Sequence, residues 1–150
     1  MIVEELKPEH FERIKLRQLE KETLDAFHTR LGQLVEVASR GPAYAVVQDD
    51  EVLVIGGLAF VWGRVWEAWL LSSEGIERHP FAARAIVRTL RATEAELGDR
   101  VQRIQAQAPV SQKWTARWFK FLGLRYESTA RKYTALGEDA VIYAKVIDGN

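Results

Sequence analysis

The stretch VWEAWLLSSEGIERHPFAARAIVRTLRATEAELG, from Val65 to Gly98, constrains the chain most. Its opening, Val65 to Leu71, is aromatic and aliphatic and reads as a strand. From about Pro80 to Leu97, the positions Ala82, Ile86, Leu90, Thr93 and Leu97 recur at helical spacing, with Arg84, Arg88 and Arg91 on the opposite face. Gly98 is a natural stop. A strand that feeds such a helix must lay it back across its own sheet, because only there are both apolar faces buried. It also leaves a helix N-terminus at the sheet's end, where unpaired amides and the helix dipole attract an anion such as a phosphate.

The rest of the chain supplies the sheet. Met1–Leu6 reads as a short strand, followed by a helix from Pro8 to about Leu19. A second helix carries the stripe Leu24, Phe27, Leu31, Leu34, Val35 and Ala38 and ends at Gly41-Pro42. AYAVVQDDEVLVIGGLAFVWG predicts a β-hairpin turning at Asp49-Asp50, with Gly56-Gly57 marking a bulge or a close backbone approach. After the long helix, RVQRIQAQA alternates like a half-buried strand, and VSQKWTARWFKFLG reads as a helix from near Ser111 to Gly123. LRYESTARKYTALGEDAVIYAKVI closes the chain as a hairpin around Gly137. The order β-α-α-β-β-β-α-β-α-β-β predicts one α+β domain over residues 1–150. In it, helices flank a single mixed, mostly antiparallel sheet.

Composition narrows the function. Lys plus Arg and Asp plus Glu are balanced at 21 each, which does not favour a basic nucleic-acid surface. Without cysteine there is no disulfide, thiol nucleophile or Cys-ligated zinc. No apolar run is long enough to span a bilayer, and MIVEELKPEHFERIK has no signal-peptide core, so a cytoplasmic protein is expected.

The element order resembles the GNAT superfamily of N-acetyltransferases. The hairpin AVVQDDEVLVIGGLAFV is similar to that family's second and third strands, and ARWFKFLGLRYE resembles its A-x-x-FY-x-x-LGF-x signature. VIGG, a tryptophan-rich strand, a Ser-Ser turn and an Arg-rich helix further resemble the phage internal virion protein A family, an acetyltransferase-like group without assured activity. The first resemblance implies an acetyl-CoA-dependent N-acetyltransferase with a small-molecule or protein amine as acceptor. The second implies a non-catalytic virion or assembly protein, in host cytoplasm or virion, with a virion or host protein partner. A homodimer is compatible with either.

The resemblance also implies site residues. The superfamily's pyrophosphate loop, Gln/Arg-x-x-Gly-x-Gly/Ala, maps onto Arg78-His79-Pro80-Phe81-Ala82-Ala83. Arg78 and Ala83 match. Phe81 stands where a glycine admits the cofactor, and Pro80 removes an amide. Arg78, His79, Phe81, Ala82, Ala83 and Arg84 are therefore the expected phosphate contacts, and Leu70, Leu71 and Ser72 the expected pantetheine contacts. The acid that protonates the departing sulfur is often the tyrosine of the FY pair. Here that pair is Trp118-Phe119, so Phe119 has no proton to give.

Two carboxylates are candidate bases, Glu67 on the strand and Glu74 in the loop. Apolar neighbours would raise the pKa of Glu67; a solvent-facing strand residue is its alternative. Ser72, Ser73 and His79 lack a Gly-x-Ser-x-Gly elbow and read as a turn. His10, His28 and His79 have no metal-ligand spacing and are expected at the surface. Trp62, Trp66 and Trp69 line a groove, build a sheet-face core or form a subunit contact, and Trp114 and Trp118, four apart, pack on one helix face.

Overall fold

The computed structural model describes residues 1–27 and 31–147. His28, and the side chains of Leu31 and Trp114, lie outside the described residues, so the expectations for them and for Trp114–Trp118 packing go no further. The elements run β1 (Ile2–Glu5), α1 (Pro8–Arg13), α2 (Gln18–Ala26), α3 (Leu31–Ala38), β2 (Ala43–Gln48), β3 (Glu51–Trp62) and β4 (Val65–Ser72). After these come α4 (Ala82–Leu97), β5 (Arg103–Pro109), α5 (Lys113–Phe121), β6 (Arg125–Ala130) and β7 (Ala140–Val146). Seven strands form one sheet in the order β1-β2-β3-β4-β5-β7-β6. Every neighbouring pair is antiparallel except β4 and β5.

The hairpin turns where expected. Asp49 and Asp50 take φ of 50° and 63°, the paired left-handed conformation that matches the twist of two directly joined strands. Gly56 and Gly57 are close approaches, not the bulge. A Cβ on Gly57 would sit 2.2 Å from the Pro42 carbonyl oxygen, and one on Gly56 2.6 Å from that of Trp69. The register shifts instead at Val46/Val47 and at Phe60/Trp62.

Alternation along the strands sorts the core onto two faces. On one, Leu71, Ile55 and Val52 pack with Phe11, Ile14, Leu16 and Leu34 from the N-terminal helical region. On the other, Val46 and Val54 meet Ala82 and Ile86 of α4, while Ile104, Trp66 and Tyr143 meet Leu97 and Leu124. The predicted inward face of α4 is correct at Ala82, Ile86, Thr93 and Leu97, all buried. Burying one such aliphatic side chain contributes roughly 1.5–3 kcal/mol.

Three local expectations need correction. The first helix stops at Arg13, because Ile14 turns to extended geometry (ψ 130°). Buried Ile14 and Leu16 then cross the sheet's end, where Leu16 bridges to Ser73. A new helix, α2, starts at Gln18, so three helices precede β2. Pro80 is not the first residue of α4. A 3₁₀ helix, Glu74–Arg78, fills the loop, and Phe81 is the N-cap of a helix that begins at Ala82. His10 is not at the surface. It is fully buried, with Nδ1 accepting from the Lys7 amide (2.8 Å) and Nε2 against Glu4 (2.7 Å). That hydrogen bond holds the Glu4 carboxyl below its ordinary range.

Candidate active site

The site begins where two parallel strands part. β4 and β5 pair at Val65↔Arg103, Trp66↔Ile104 and Glu67↔Gln105, and no further. Both continue, β4 to Ser72 and β5 to Pro109, but beyond Glu67 their facing backbone groups have no ladder partner. A cleft of about 510 Å³ opens at this divergence. Glu67 to Leu71 and Gln107 line it between the strands, with Thr115 and Phe119 from α5 on one side and Leu24 and Leu34 from the N-terminal helices on the other.

Glu67 stands at the mouth of that divergence, half-buried, with no hydrogen-bond or charged partner among the described residues. Burial alone raises its carboxyl above the ordinary value. The cause is the cleft, not Trp66, which points to the opposite face and donates its indole N–H to the Arg100 carbonyl (2.9 Å). The other carboxylate in the cleft, Glu20, is neutralised by a two-pronged bond from Arg17 (3.0 and 2.9 Å). Glu20 also accepts the Ser72 hydroxyl at 2.5 Å. Ser72 is thereby buried beneath the cleft, whereas Leu70 and Leu71 line it. Glu74 lies outside the cleft, exposed in the first turn of the 3₁₀ helix.

At the phosphate end the arrangement is mixed. α4 presents the amides of Phe81, Ala83 and Arg84 with no acceptor among the described residues, while the Ala82 amide is taken by the His79 carbonyl (3.0 Å). Phe81 is exposed, and the Arg84 guanidinium lies 5.5 Å from its ring centre. Arg78 is turned away from α4 to Glu51 (3.2 Å), with His79 3.9 Å from the same carboxylate. Glu51 and the buried Glu20 were not legible as candidate-site residues. Only the fold brings the start of β3 beside Arg78, or α2 beneath Ser72.

Of the tryptophans, Trp66 is core, whereas Trp62 and Trp69 line the cleft. Trp69 stacks on Phe11 (centres 6.4 Å apart), and its indole N–H is buried with no acceptor among the described residues. Phe119 lines the cleft and lies 5.1 Å from the Tyr143 ring. Burial raises the hydroxyl pKa of Tyr143.

This architecture is that of solved N-acetyltransferases. Ribosomal-protein-S18-alanine N-acetyltransferase of Escherichia coli superposes with a TM-score of 0.73 at 16% identity, covering 99% of this chain and 95% of that one. Ribosomal-protein-S5-alanine acetyltransferase of Vibrio fischeri gives 0.71 at 17% identity over 98% and 93%. A Streptococcus mutans protein gives 0.76 at 15% identity over 99% and 100%. The chain therefore has the GNAT acetyltransferase fold. No protein-family model matches the sequence, and no curated protein matches it either. Nothing in these comparisons bears on the phage virion family. No described helix is long and apolar enough to cross a membrane.

Proposed function

We propose that the chain is an acetyl-CoA-dependent N-acyltransferase with Glu67 as its general base. The observation that carries this reading is the parting of β4 from β5 immediately after Glu67↔Gln105, with a partnerless, half-buried carboxylate at the fork. The fork fits a thin, amide-bearing arm such as pantetheine, because Ala68 to Leu71 offer it a strand edge without a ladder partner. The amides of Phe81, Ala83 and Arg84 fit the phosphates. Bound there, acetyl-CoA supplies an acyl group activated as a thioester.

Glu67 takes a proton from the incoming ammonium and frees the nitrogen lone pair for attack at the acyl carbon. The amide C–N bond forms and the C–S bond breaks. RNH3⁺ and the thioester thus give amide, thiol and one released proton. The raised pKa brings the base closer to neutral pH, where proton transfer is efficient. Phe119 gives no proton, and the hydroxyls of Thr23 and Thr115 are both bonded to Gln112, so protonation of the departing sulfur falls to solvent.

Calorimetric titration of acetyl-CoA into the full chain, paired with melting temperature, tests the proposal. A bound ligand at a hundred times its Kd stabilises the fold by about 2.7 kcal/mol. The expected result is saturable binding and thiol release on adding amines. No binding at millimolar concentration overturns the reading and leaves a scaffold without turnover.

A further inference from the structure

The acceptor half of the cleft is specific about charge. Its charged side chains are Arg17, Glu20, Arg40 and Glu67. Arg17 and Glu20 are bonded to each other, and Arg40 pairs with Glu36 at 3.1 Å. One carboxylate, Glu67, keeps no partner among the described residues. The hydroxyls are similarly committed. Thr23 and Thr115 both bond Gln112, whereas the Gln107 amide and the Trp69 indole N–H, which also line the cleft, have no partner among the described residues. The remaining walls are apolar. Leu24 and Phe27 come from the end of α2, Leu34 and Val37 from α3, and Trp62 from the end of β3. Trp62 is 69% exposed and stands at the rim, whereas the Phe60 ring turns to the opposite face and packs against Trp66 (centres 5.6 Å apart).

We infer that the acceptor is a monoamine on an apolar, aromatic-sized body, of the phenylalkylamine type, with its nitrogen at Glu67 and its body between the helical wall and Trp62 at the rim. This rests on the acyl-transfer reading. One carboxylate neutralises one ammonium. A polyamine would bring further positive charges to a cleft whose other carboxylate, Glu20, is already taken by Arg17. A peptide would bring many backbone amides and carbonyls to an acceptor half walled mostly by apolar side chains, and most of their desolvation would go uncompensated. An apolar body is what the five side chains of Leu24, Phe27, Leu34, Val37 and Trp62 reward.

The test has two arms on the full chain. In the first, phenethylamine, spermidine and an alanine-terminated tripeptide amide are each titrated by calorimetry, with no acetyl-CoA present. In the second, the same amines are compared by thiol release with acetyl-CoA. The expected result is that phenethylamine binds at least tenfold more tightly than the other two and has at least a tenfold higher kcat/KM. Glu67→Gln should weaken phenethylamine binding severalfold, and a melting curve shows that the variant is folded. Preference for spermidine or the peptide in either arm overturns the acceptor assignment and leaves acyl transfer standing. Failure of acetyl-CoA to bind overturns acyl transfer, while the first arm still decides which amine the cleft accepts.

Discussion

Glu67 of β4 stands opposite Gln105 of β5 at the last position where the two parallel strands remain paired. The carboxylate is thus held by a rigid sheet on one side and opens to the cleft on the other. Sheet residues hold geometry better than loop residues, which is what a base needs.

That position makes a prediction with two signs. Burial raises the Glu67 carboxyl, so between its ordinary and its folded pKa the native state binds more protons than the unfolded chain. Its stabilising contribution is complete below the ordinary carboxylate range and is lost as pH rises through the folded value. Transfer activity should rise over that same interval, as the base ionises. Glu67→Gln should therefore lower kcat/KM by about a hundred- to ten-thousand-fold and raise the melting temperature at neutral pH. It should also flatten that part of the stability–pH profile. A variant that keeps its activity, or melts lower at pH 7 than wild type, contradicts the assignment.

A second prediction concerns the phosphate end. Glu51 binds Arg78 and lies near His79, which places an anion beside two of the residues expected to meet phosphate. Glu51→Gln removes that charge and releases Arg78 toward α4. The Kd for CoA should fall severalfold, with a steeper salt dependence, since exposed pairs respond to screening. An unchanged Kd would mean that Arg78 plays no part in holding the phosphates.

Much of this fold was legible in the sequence, and the reasons are local. The α4 stripe from Ala82 to Leu97 and the Asp49-Asp50 hairpin follow from periodicity and turn chemistry, which neighbouring residues decide among themselves. The site was legible only along β4. Glu67, Leu70 and Leu71 could be placed because they share a strand with the loop that follows. Glu20 and Glu51 could not, because contacts spanning 52 and 27 residues determine what they touch. His10 escaped for a related reason. A histidine after a proline in a first helical turn reads as solvated, and it is the Lys7 amide together with Glu4 on β1 that makes its burial tolerable. Phe81 and Pro80 suggested a degraded phosphate loop, yet the backbone inserts a 3₁₀ helix there and still leaves three amides open.

Two tryptophans three residues apart should respond oppositely to removal of the indole N–H. Trp69 buries that group without an acceptor among the described residues, whereas Trp66 gives it to the Arg100 carbonyl. An unmatched buried donor costs about 1–3 kcal/mol, and a made hydrogen bond contributes about 0.5–1.5 kcal/mol net. Trp69→Phe gives up packing against Phe11 but also removes the stranded donor, so it should be close to neutral. Trp66→Phe loses packing and a bond together and should melt distinctly lower. Denaturant midpoints on the two variants decide it, and equal losses would show that the Trp69 N–H finds an acceptor in solution.

The last prediction asks whether the missing hydroxyl on α5 limits turnover. Phe119 lines the cleft and also a smaller apolar cavity between α4 and the sheet, and lies 5.1 Å from the Tyr143 ring. Phe119→Tyr is expected to place its hydroxyl in that space. If that hydroxyl reaches the departing sulfur, it supplies the acid the cleft lacks, and a positioned general acid contributes about a hundred- to ten-thousand-fold at most. We expect a severalfold rise in kcat with acetyl-CoA and phenethylamine, little change in KM, and a melting temperature near that of wild type. The competing outcome has its own signature. A hydroxyl turned onto Tyr143, whose ring lies 5.1 Å away in a buried cluster, would be left without a partner and would cost about 1–3 kcal/mol. A destabilised variant with unchanged kcat would place Phe119 in the core and remove α5 from the chemistry.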